Sequence, residues 1–377
     1  MTQGDARIAR LPIVSTWPIV DGGKFAVKAF AGEVLEFGAI ATREGHDQLA
    51  AELSLISPSG RETKSRMQAA SPGLDQFLLK SQLSETGVWR YQVITWDDKF
   101  GTWAHNAKIK LEAGIDQDLV ILQGQHLANE FLGVASAKDK KTLKAIIAVL
   151  KDPEIEPAQA FENALSLGFE QLSHRSPLRG LVSTSEPVRI LCERQLAGSG
   201  AWYEFFPRSE GATKDSVGTW VSGTFKTATK SLKRVKNMGF EVLYLPPIHP
   251  IGQSHRKGPN NTLVAEGDDP GSPWAIGSSS GGHDAIHPDL GSEKDFGAFV
   301  GSANKLGLEI AMDFALQASP DHPWVQSNPE WFSKRADGSI AYAENPPKKY
   351  QDIYPIYFDE DPEGLVEEVL RLLAKWI

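Results

Sequence analysis

The chain has 377 residues, of which 41% are hydrophobic and 23% charged, an ordinary composition for a soluble globular protein of two or three domains. Its formal net charge of −9 excludes a general nucleic-acid binder, because that class needs a basic face to displace counterions. Cys192 is the only cysteine, so no disulfide within the chain is possible. The N-terminus lacks an apolar segment of signal-peptide length, and no apolar run approaches the ~20 residues of a membrane span. We therefore expect an acidic cytoplasmic enzyme with no membrane partner.

From Ile13 to about Leu111 the sequence alternates apolar and polar residues in short runs separated by glycine and proline. The clearest runs are KFAVKAFAGEVLEFGAIAT and GVWRYQVITWDDKFGTWAHNAKIKLEAG. Such spacing is typical of a small β-sandwich, which we predict as an N-terminal domain at residues 1–113.

From Asp116 to about His174 the apolar period changes to that of helices. Three amphipathic stretches follow one another: DLVILQGQHLANEFL, DKKTLKAIIAVLKD and PAQAFENALSLGFEQL. They predict an inserted helical domain at residues 114–198. No chemistry is visible in this block, and we expect it to pack or to dimerise, with a bare scaffold role as the alternative.

Strand and helix patterns alternate after Trp202, with long loops after the second and third strands. Buried strands are predicted at Trp202–Pro207, Glu241–Pro247 and Glu309–Leu316. This alternation is typical of a parallel (β/α)8 barrel, whose active site is built from the loops that follow the strands. We therefore predict the first part of such a barrel at residues 199–377, including a loop subdomain after the third strand.

A complete barrel has eight strands and takes roughly 250 residues, more than this segment offers. The last predicted helix begins at about Pro362 and is still amphipathic at Ile377. We therefore expect the chain to be the front part of a longer protein.

Four basic residues follow the second barrel strand in the stretch PPIHPIGQSHRKGPNNTL. We expect His249, His255, Arg256 and Lys257 to converge on one face of this loop, with a basic turn of no particular role as the alternative.

His283 and His287 are four residues apart, a spacing that can bind zinc on a helix. The flanking glycines and Pro288 disfavour a helix here, so we predict no metal site and a structural role for both imidazoles.

The stretch ENPPKKYQDIYPIYFD holds two adjacent prolines, two adjacent lysines and three tyrosines. Pro346 and Pro347 predict a rigid extended loop that can aim side chains at a ligand. Lysines suit anions and tyrosine rings suit the flat apolar faces of sugars, although a solvated turn is the alternative.

Several stretches resemble a known family when they are taken together. They are WYEFFPRS, YLPPIHPIG, HRKGPNN, PWAIGS, GGHDAIHP, DFALQASPDHPWV and ENPPKKYQDIYPI. In this order they resemble the bacterial maltosyltransferases that extend α-1,4-glucans from maltose 1-phosphate, and HPDLGSEKDFGAFVGSANKLGLEIAMDF resembles the wider α-amylase family pattern before the third barrel strand. The resemblance implies the same order of domains, a homodimer helped by the helical domain, no cofactor, and maltose 1-phosphate and an α-1,4-glucan acceptor as substrates.

The resemblance also implies where the donor binds. Lys257 and Asp352 fall at positions that match donor-binding residues of the family. Lys348, Asn345 and Tyr350 supply a cation and neutral hydrogen-bonding groups for the phosphate. No glycine-rich phosphate cradle opens a helix, so a nucleotide phosphate is not expected.

The segment after Asp313 departs from the amylase pattern. An Asn and a His are usual there, whereas this chain has the run FALQA, so a calcium site of that kind is not expected. Gln317 has an amide that fits a sugar hydroxyl, with the capping of a nearby turn as its alternative role.

Retaining transfer through a covalent maltosyl-enzyme is the mechanism that the resemblance implies. It needs an Asp nucleophile and a Glu acid/base, which we expect beyond Ile377, because Asp313 matches a structural position of the family. The 377 residues alone should then be inactive. Alternatives are an amylase-family hydrolase or trehalose-converting enzyme, and a non-catalytic glycan-binding protein.

Overall fold

The computed structural model describes residues 10–70 and 74–377, and the chain divides into two compact units, residues 1–199 and 200–377. The N-terminal stretch in which no signal peptide is predicted lies mostly in residues 1–9, outside the described residues. Within the described ranges, every helix is too short or too polar to cross a bilayer.

The first unit begins with strands and continues with helices before it returns to strands. The strands are β1 (Ile13–Trp17), β2 (Val27–Phe30), β3 (Val34–Ala41), β4 (Leu49–Ile56), β5 (Glu62–Arg66), β6 (Gln68–Ala69), β7 (Gln76–Gln82) and β8 (Gly87–Asp97). The helices are α1 (Lys99–Glu112), α2 (Gln117–Val134), α3 (Ala137–Lys151), α4 (Pro157–Ser166) and α5 (Phe169–Arg175), and the last strands are β9 (Val182–Thr184) and β10 (Val188–Glu193).

Two sheets form the predicted sandwich. One has the strand order β1-β3-β7-β6, and the other has the order β2-β10-β8-β4-β5, with β9 on β8. Alternate residues of both sheets point into one shared core, where the rings of Phe37 and Tyr91 meet edge to face with their centroids 5.1 Å apart. The β2–β10 pair is parallel, so residues close to the end of this unit complete a sheet that its first strands begin.

The prediction of strand structure up to Leu111 is wrong for its last part. The strand ends at Asp97, and residues Lys99–Glu112 form α1. Asp98 caps this helix by accepting a hydrogen bond from the Gly101 N–H at 3.0 Å. Phe100, Trp103 and Ala107 are spaced for one helix face and are buried in the helical core, so burial favours a helix over a strand here.

The five helices pack around a core of aromatic rings. Trp103 lies 5.4 Å from Phe161 and 5.6 Å from Phe169, measured between ring centroids, and its indole N–H donates to the Val120 carbonyl at 2.9 Å. Helix α2 passes close to this ring at Gly124, where a Cβ atom would lie 2.4 Å from the indole. A side chain at position 124 would therefore collide with the core.

After the helices the chain returns to the sandwich. Strands β9 and β10 lie in the range that the sequence assigned to the helical domain, and both pair with β8. The helices are thus an insertion between β8 and β9, which pair in one sheet. The domain limits drawn from the sequence stay a prediction.

The second unit alternates strands and helices with long connections. Its elements are β11 (Trp202–Glu204), β12 (Thr213–Lys214), β13 (Trp220–Val221), α6 (Phe225–Ala228), α7 (Leu232–Asn237), β14 (Val242–Leu245), α8 (Glu293–Lys305), β15 (Glu309–Met312), β16 (Gln317–Ala318), α9 (Pro323–Ser327), β17 (Ala343–Asn345), β18 (Lys348–Tyr350), β19 (Tyr354–Pro355) and α10 (Pro362–Trp376).

The three strands predicted for this unit are present and are shorter than predicted. They form a parallel sheet in the order β11-β14-β15, with helices α6 to α8 in the connections. Strand β14 ends at Leu245 because Pro246 and Pro247 have no N–H to give to a neighbouring strand. The unit therefore has mixed sheets and helices with a short parallel sheet at its centre.

The stretch around Pro346 and Pro347 is a β-hairpin and not the extended loop predicted from its prolines. Strands β17 and β18 pair antiparallel, with Asn345 opposite Lys348. The prolines occupy the two turn positions between the strands, where a missing N–H breaks no strand pairing.

Candidate functional site

The candidate site residues lie on loops that leave the C-terminal ends of the parallel strands, and on the hairpin that follows. Leu245 and Met312 are opposite each other in the parallel pair, so the loops after β14 and β15 start at the same end of the sheet. The carboxyl ends of parallel strands are where α/β folds build ligand sites.

Asp313, the first residue after β15, holds neighbouring groups together. Its carboxylate accepts a hydrogen bond from the Trp274 indole N–H at 2.8 Å. Burial, followed by a hydrogen bond to Asp313, raises the pKa of Tyr244 to about 12. These contacts give Asp313 a structural role in joining strand β14 to the long loop.

Gln317 ties the loop after β15 to the long loop that contains Trp274. Its amide N–H donates to the Trp274 carbonyl at 3.0 Å. This bond joins two loops that are distant in the sequence, so the capping of a nearby turn that was the alternative role for this amide stays a prediction. Use of Gln317 for a sugar hydroxyl stays a prediction.

Lys257 and Asp352 form a buried ion pair, although they are far apart in the sequence. The Lys257 Nζ lies 3.7 Å from the Asp352 Oδ1, and the two side chains are 7% and 3% exposed. This distance is too long for a hydrogen bond, and the Oδ1 atom is buried without a hydrogen-bond partner. A buried carboxylate oxygen in this state can accept a hydrogen bond from a ligand.

The hairpin brings three predicted residues onto one face. Asn345 and Lys348 are directly opposite, and Tyr350 is two residues further along the same strand, so the three side chains share a side of the hairpin. Lys349 faces the other side together with Glu344. Asn345 and Lys348 are exposed, and Tyr350 is half-buried.

The four basic residues after β14 do not converge on one loop face, contrary to the prediction. His249 is 1% exposed and donates from Nδ1 to the Ala285 carbonyl at 2.9 Å, whereas His255 is exposed. The Arg256 guanidinium donates to three backbone carbonyls of its own loop. The sequence HRKG therefore folds as a turn that sends consecutive side chains in different directions.

His287 caps the turn at residues 288–290. Its Nδ1 accepts from the Asp289 N–H at 3.2 Å, and burial, followed by the charge of Arg208, lowers its pKa to about 4. Neither His283 nor His287 lies in a helix. Within the described ranges, no group of three or more His, Cys, Asp or Glu side chains is arranged to hold a metal ion.

His283 and His322 form a buried chain of hydrogen bonds that the sequence did not predict. The Trp324 N–H donates to His322 Nδ1 at 3.0 Å, the two imidazoles meet at 3.0 Å, and His283 Nε2 donates to the Ala315 carbonyl at 2.8 Å. Burial lowers the pKa of His283 to about 4 and that of His322 to about 3, so both rings are neutral at pH 7. A sequence signal exists in the run GSSSGGH, because a Cβ at Gly277 or Gly282 would lie 2.3 or 2.4 Å from the His322 ring.

The candidate residues supply a cation, amide groups, a phenol and a buried carboxylate with one oxygen that accepts no hydrogen bond. Such groups suit a polar ligand that carries hydroxyl groups and an anion.

Comparison with known proteins points to one family. Residues 9–194 match the family model described as α-1,4-glucan:maltose-1-phosphate maltosyltransferase, domain N/S. Two Streptomyces coelicolor proteins with the names α-1,4-glucan:maltose-1-phosphate maltosyltransferase 1 and 2 are 50% and 49% identical over 372 residues, covering 98% of this chain and 54% and 55% of their own length. A Mycobacterium tuberculosis α-1,4-glucan:maltose-1-phosphate maltosyltransferase is 42% identical over 402 residues, covering 98% of this chain and 56% of its own.

The chain spans about half the length of the curated relatives it matches. Among solved structures, a pullulanase in complex with maltotetraose aligns with a TM-score of 0.28 at 9% identity over 93% of this chain and 41% of that one, which is too weak to bear on the fold.

Proposed function

Because this chain belongs to the α-1,4-glucan:maltose-1-phosphate maltosyltransferase family, we propose that its full-length protein transfers maltosyl units from maltose 1-phosphate to the non-reducing end of α-1,4-glucans and releases phosphate. The observation that carries this proposal is the 50% identity over 98% of the chain to a relative with that name. The proposed hydrolase, trehalose-converting and glycan-binding alternatives gain no support from the names of the relatives.

The hairpin of β17 and β18 is the proposed phosphate site. Lys348 supplies the charge, while the Asn345 amide and the Tyr350 hydroxyl can donate to phosphate oxygens from the same face. A lysine ammonium is a compact charge on a flexible stem, which suits the oxygens of a terminal phosphate.

Lys257, Asp352 and Gln317 are the proposed sugar contacts. The Asp352 Oδ1 atom, which accepts no hydrogen bond in the structure, can accept from a sugar hydroxyl, and the Lys257 ammonium lies 3.7 Å from it. Gln317 presents an amide that the Trp274 carbonyl already orients.

The proposed reaction retains the anomeric configuration through a maltosyl-enzyme bound to an Asp carboxylate. A Glu protonates the departing phosphate oxygen and then deprotonates the acceptor hydroxyl, so the proton that it gives is recovered. We propose that both carboxylates belong to later strands of an α-amylase-type barrel, and that β11, β14 and β15 are its first three strands. The sheet is parallel with helical crossovers, as this proposal requires.

A homodimer that uses the helical segment is a further part of the proposal. Helix α2 exposes Leu119 and Leu122, which are three residues apart and therefore neighbours on its surface. These leucines are a candidate contact for a second copy.

The opposite orientation of two adjacent lysines provides the test of the phosphate site. We expect Lys348→Met in the full-length enzyme to cost roughly 2 to 4 kcal/mol of transition-state stabilisation with maltose 1-phosphate, because a charge-assisted contact is lost. That corresponds to about thirty-fold to a thousand-fold in kcat/KM. Lys349→Met removes the same charge from the other face of the same strand and should change kcat/KM by less than about threefold.

Maltosyl fluoride, a donor without phosphate, separates phosphate binding from a general loss of activity. Lys348→Met should be much less harmful with this donor. Equal losses with both donors, or equal effects of the two lysine variants, would show that Lys348 is not the phosphate contact. A full-length protein that releases no phosphate from maltose 1-phosphate would overturn the proposed function itself.

A further inference from the structure

The chain of hydrogen bonds through the buried imidazoles of His322 and His283 ends at the Ala315 carbonyl, in the loop that holds Gln317. His283 Nε2 must carry a proton because it donates to the Ala315 carbonyl, which leaves Nδ1 of the neutral ring as an acceptor. His322 Nδ1 accepts from the Trp324 N–H, so its Nε2 carries the proton that is given to His283. Every nitrogen of the two rings is therefore used, and all three bonds point in one direction.

Ala315 lies at a sharp bend between β15 and β16. Its carbonyl also accepts from the Gln317 N–H at 2.9 Å, so one oxygen receives both the bond that closes the bend and the bond from His283. Immediately after the bend, Gln317 pairs with Pro355 in β16 and β19, and its side chain bonds to the Trp274 carbonyl. The direction of the Gln317 side chain is thus set within two residues of the His283 contact.

The surroundings are built to hold these rings. His283 stacks on the Trp324 indole with a centroid separation of 4.7 Å and an interplanar angle of 13°. His283 and His322 are 1% and 2% exposed. Gly277 and Gly282 give His322 the room that any side chain would remove. Such a site costs the chain several constrained positions, which favours a role beyond filling space.

We propose that the His322–His283 pair is a positioning device that fixes the bend at Ala315 and, through it, the orientation of Gln317 toward the sugar of the donor. This inference rests on the proposed function for its substrate, and it deepens that function by naming residues that touch no substrate. The device needs both rings neutral, because a proton on His283 Nδ1 would face the N–H of His322.

Two amide substitutions of His283 differ only in reach. The Gln side-chain nitrogen takes the place of the imidazole Nε2 and can donate to Ala315, whereas the Asn nitrogen takes the place of Nδ1 and cannot. We expect His283→Asn in the full-length enzyme to raise KM for maltose 1-phosphate by about tenfold or more with a smaller change in kcat, because binding common to the ground and transition states is lost. His283→Gln should stay within about threefold of the wild-type KM.

A stability control removes the simplest competing explanation. Leu232→Ala opens a cavity in the separate core beneath the parallel sheet, where Leu232 is 0% exposed. It should lower stability and leave the KM of the folded enzyme unchanged. If His283→Gln and His283→Asn raise KM equally, or if neither does, the rings only fill space and the proposal is wrong.

Amide hydrogen exchange tests the device without any substrate. In the full-length protein, His283→Asn should speed exchange of the Gln317 N–H by about tenfold relative to both wild type and His283→Gln, because the bend at Ala315 is loosened. Equal exchange at Gln317 in all three proteins would overturn the proposal. Absence of wild-type activity with maltose 1-phosphate would instead refute the proposed function, and the exchange result would still decide the positioning role.

Discussion

Lys257 and Asp352 show how a pair of side chains can serve stability and still keep binding capacity. Burial makes an unpaired charge costly, so each group needs the other. The 3.7 Å separation nevertheless leaves the Asp352 Oδ1 atom without a hydrogen bond. A ligand hydroxyl at that oxygen would supply the missing partner.

Removal of one partner should be worse than removal of both. Lys257→Met leaves Asp352 buried and uncompensated, and we expect a loss of about 3 to 5 kcal/mol in the free energy of unfolding. The double variant Lys257→Met with Asp352→Asn carries no buried charge at this position and should recover part of that loss. Urea denaturation of the three proteins measures the difference. A double variant that is less stable than Lys257→Met would contradict this account.

The buried imidazoles predict a pH-dependent stability. The pKa of His283 is about 4 and that of His322 about 3 in the folded chain, below the ordinary value of 6.5, so the unfolded chain binds more protons between about pH 6.5 and pH 4. The contribution of the two rings to the free energy of unfolding is therefore fully present above pH 6.5. It falls on acidification by up to about 1.4 kcal/mol per pH unit for each ring. The charged and titratable groups that face the rings are His249, Asp284 and Glu368.

Urea denaturation at several pH values between 7 and 4.5 measures this slope. His283→Gln removes one ring and should reduce the slope by up to about 1.4 kcal/mol per pH unit, whereas the buried His287, whose pKa is also lowered to about 4, contributes equally in both proteins. A wild-type free energy of unfolding that is constant over this window would be inconsistent with buried neutral imidazoles.

Residue-level features of the site were only partly visible in the sequence. Lys348 and Tyr350 are two residues apart, so they share a face if the stretch is a strand. The turn prolines are the sequence sign that the stretch is a hairpin. The pairing of Lys257 with Asp352 and of His283 with His322 depends on contacts between distant segments, which no local pattern encodes. The glycines beside His283 were the one local sign of a crowded site.

At the level of elements, helix α1 shows why alternation alone is a weak signal. Its sequence follows directly on the longest strand and contains a run that alternates, so it was predicted to continue the sheet. The apolar residues Phe100, Trp103 and Ala107 also fit a helix, and the Asp98 cap with the aromatic core decides between the two patterns. The helices α2 to α4 were predicted well because their apolar period is long and unambiguous.

Two glycines of helix α2 should respond in opposite ways to alanine. Gly124→Ala places a methyl group against the Trp103 ring, which is fixed by its bond to Val120, and should cost about 1 to 3 kcal/mol through overpacking. Gly133→Ala meets nothing within 4 Å and should stabilise the protein by up to about 1 kcal/mol through helix propensity. Thermal or urea denaturation compares them. Equal effects would mean that the ring moves aside at little cost.

At the scale of the whole molecule, the chain combines a sandwich with inserted helices and a unit that contains the candidate site. The apolar period was enough to predict the helical segment, and the alternation of strand and helix patterns was enough to predict the parallel strands. The pairing of β9 and β10 with β8 was not predictable, because the partner of a short strand is set by tertiary contacts.

The proposed homodimer can be tested on the exposed leucines of α2. Leu119 and Leu122 are 49% and 45% exposed, and we expect the double change to Glu to convert a full-length dimer into a monomer, because two charges would be buried in the contact. Light scattering measures the mass. Val217→Glu, at a position that is 82% exposed in the other unit, is the control and should leave the dimer intact. A monomeric wild type, or a double variant that stays dimeric, would contradict the proposed contact.

The parallel sheet of the second unit has a consequence for handling the protein. In the order β11-β14-β15, the outer side of β15 pairs with no strand among the described residues, and its Ile310 and Met312 are only half-buried. An open edge of this kind is a template on which another strand can add, including one from a second molecule. These 377 residues, when produced alone, therefore carry an aggregation hazard along this edge, and a strand that covered it would improve solubility as well as complete the sheet.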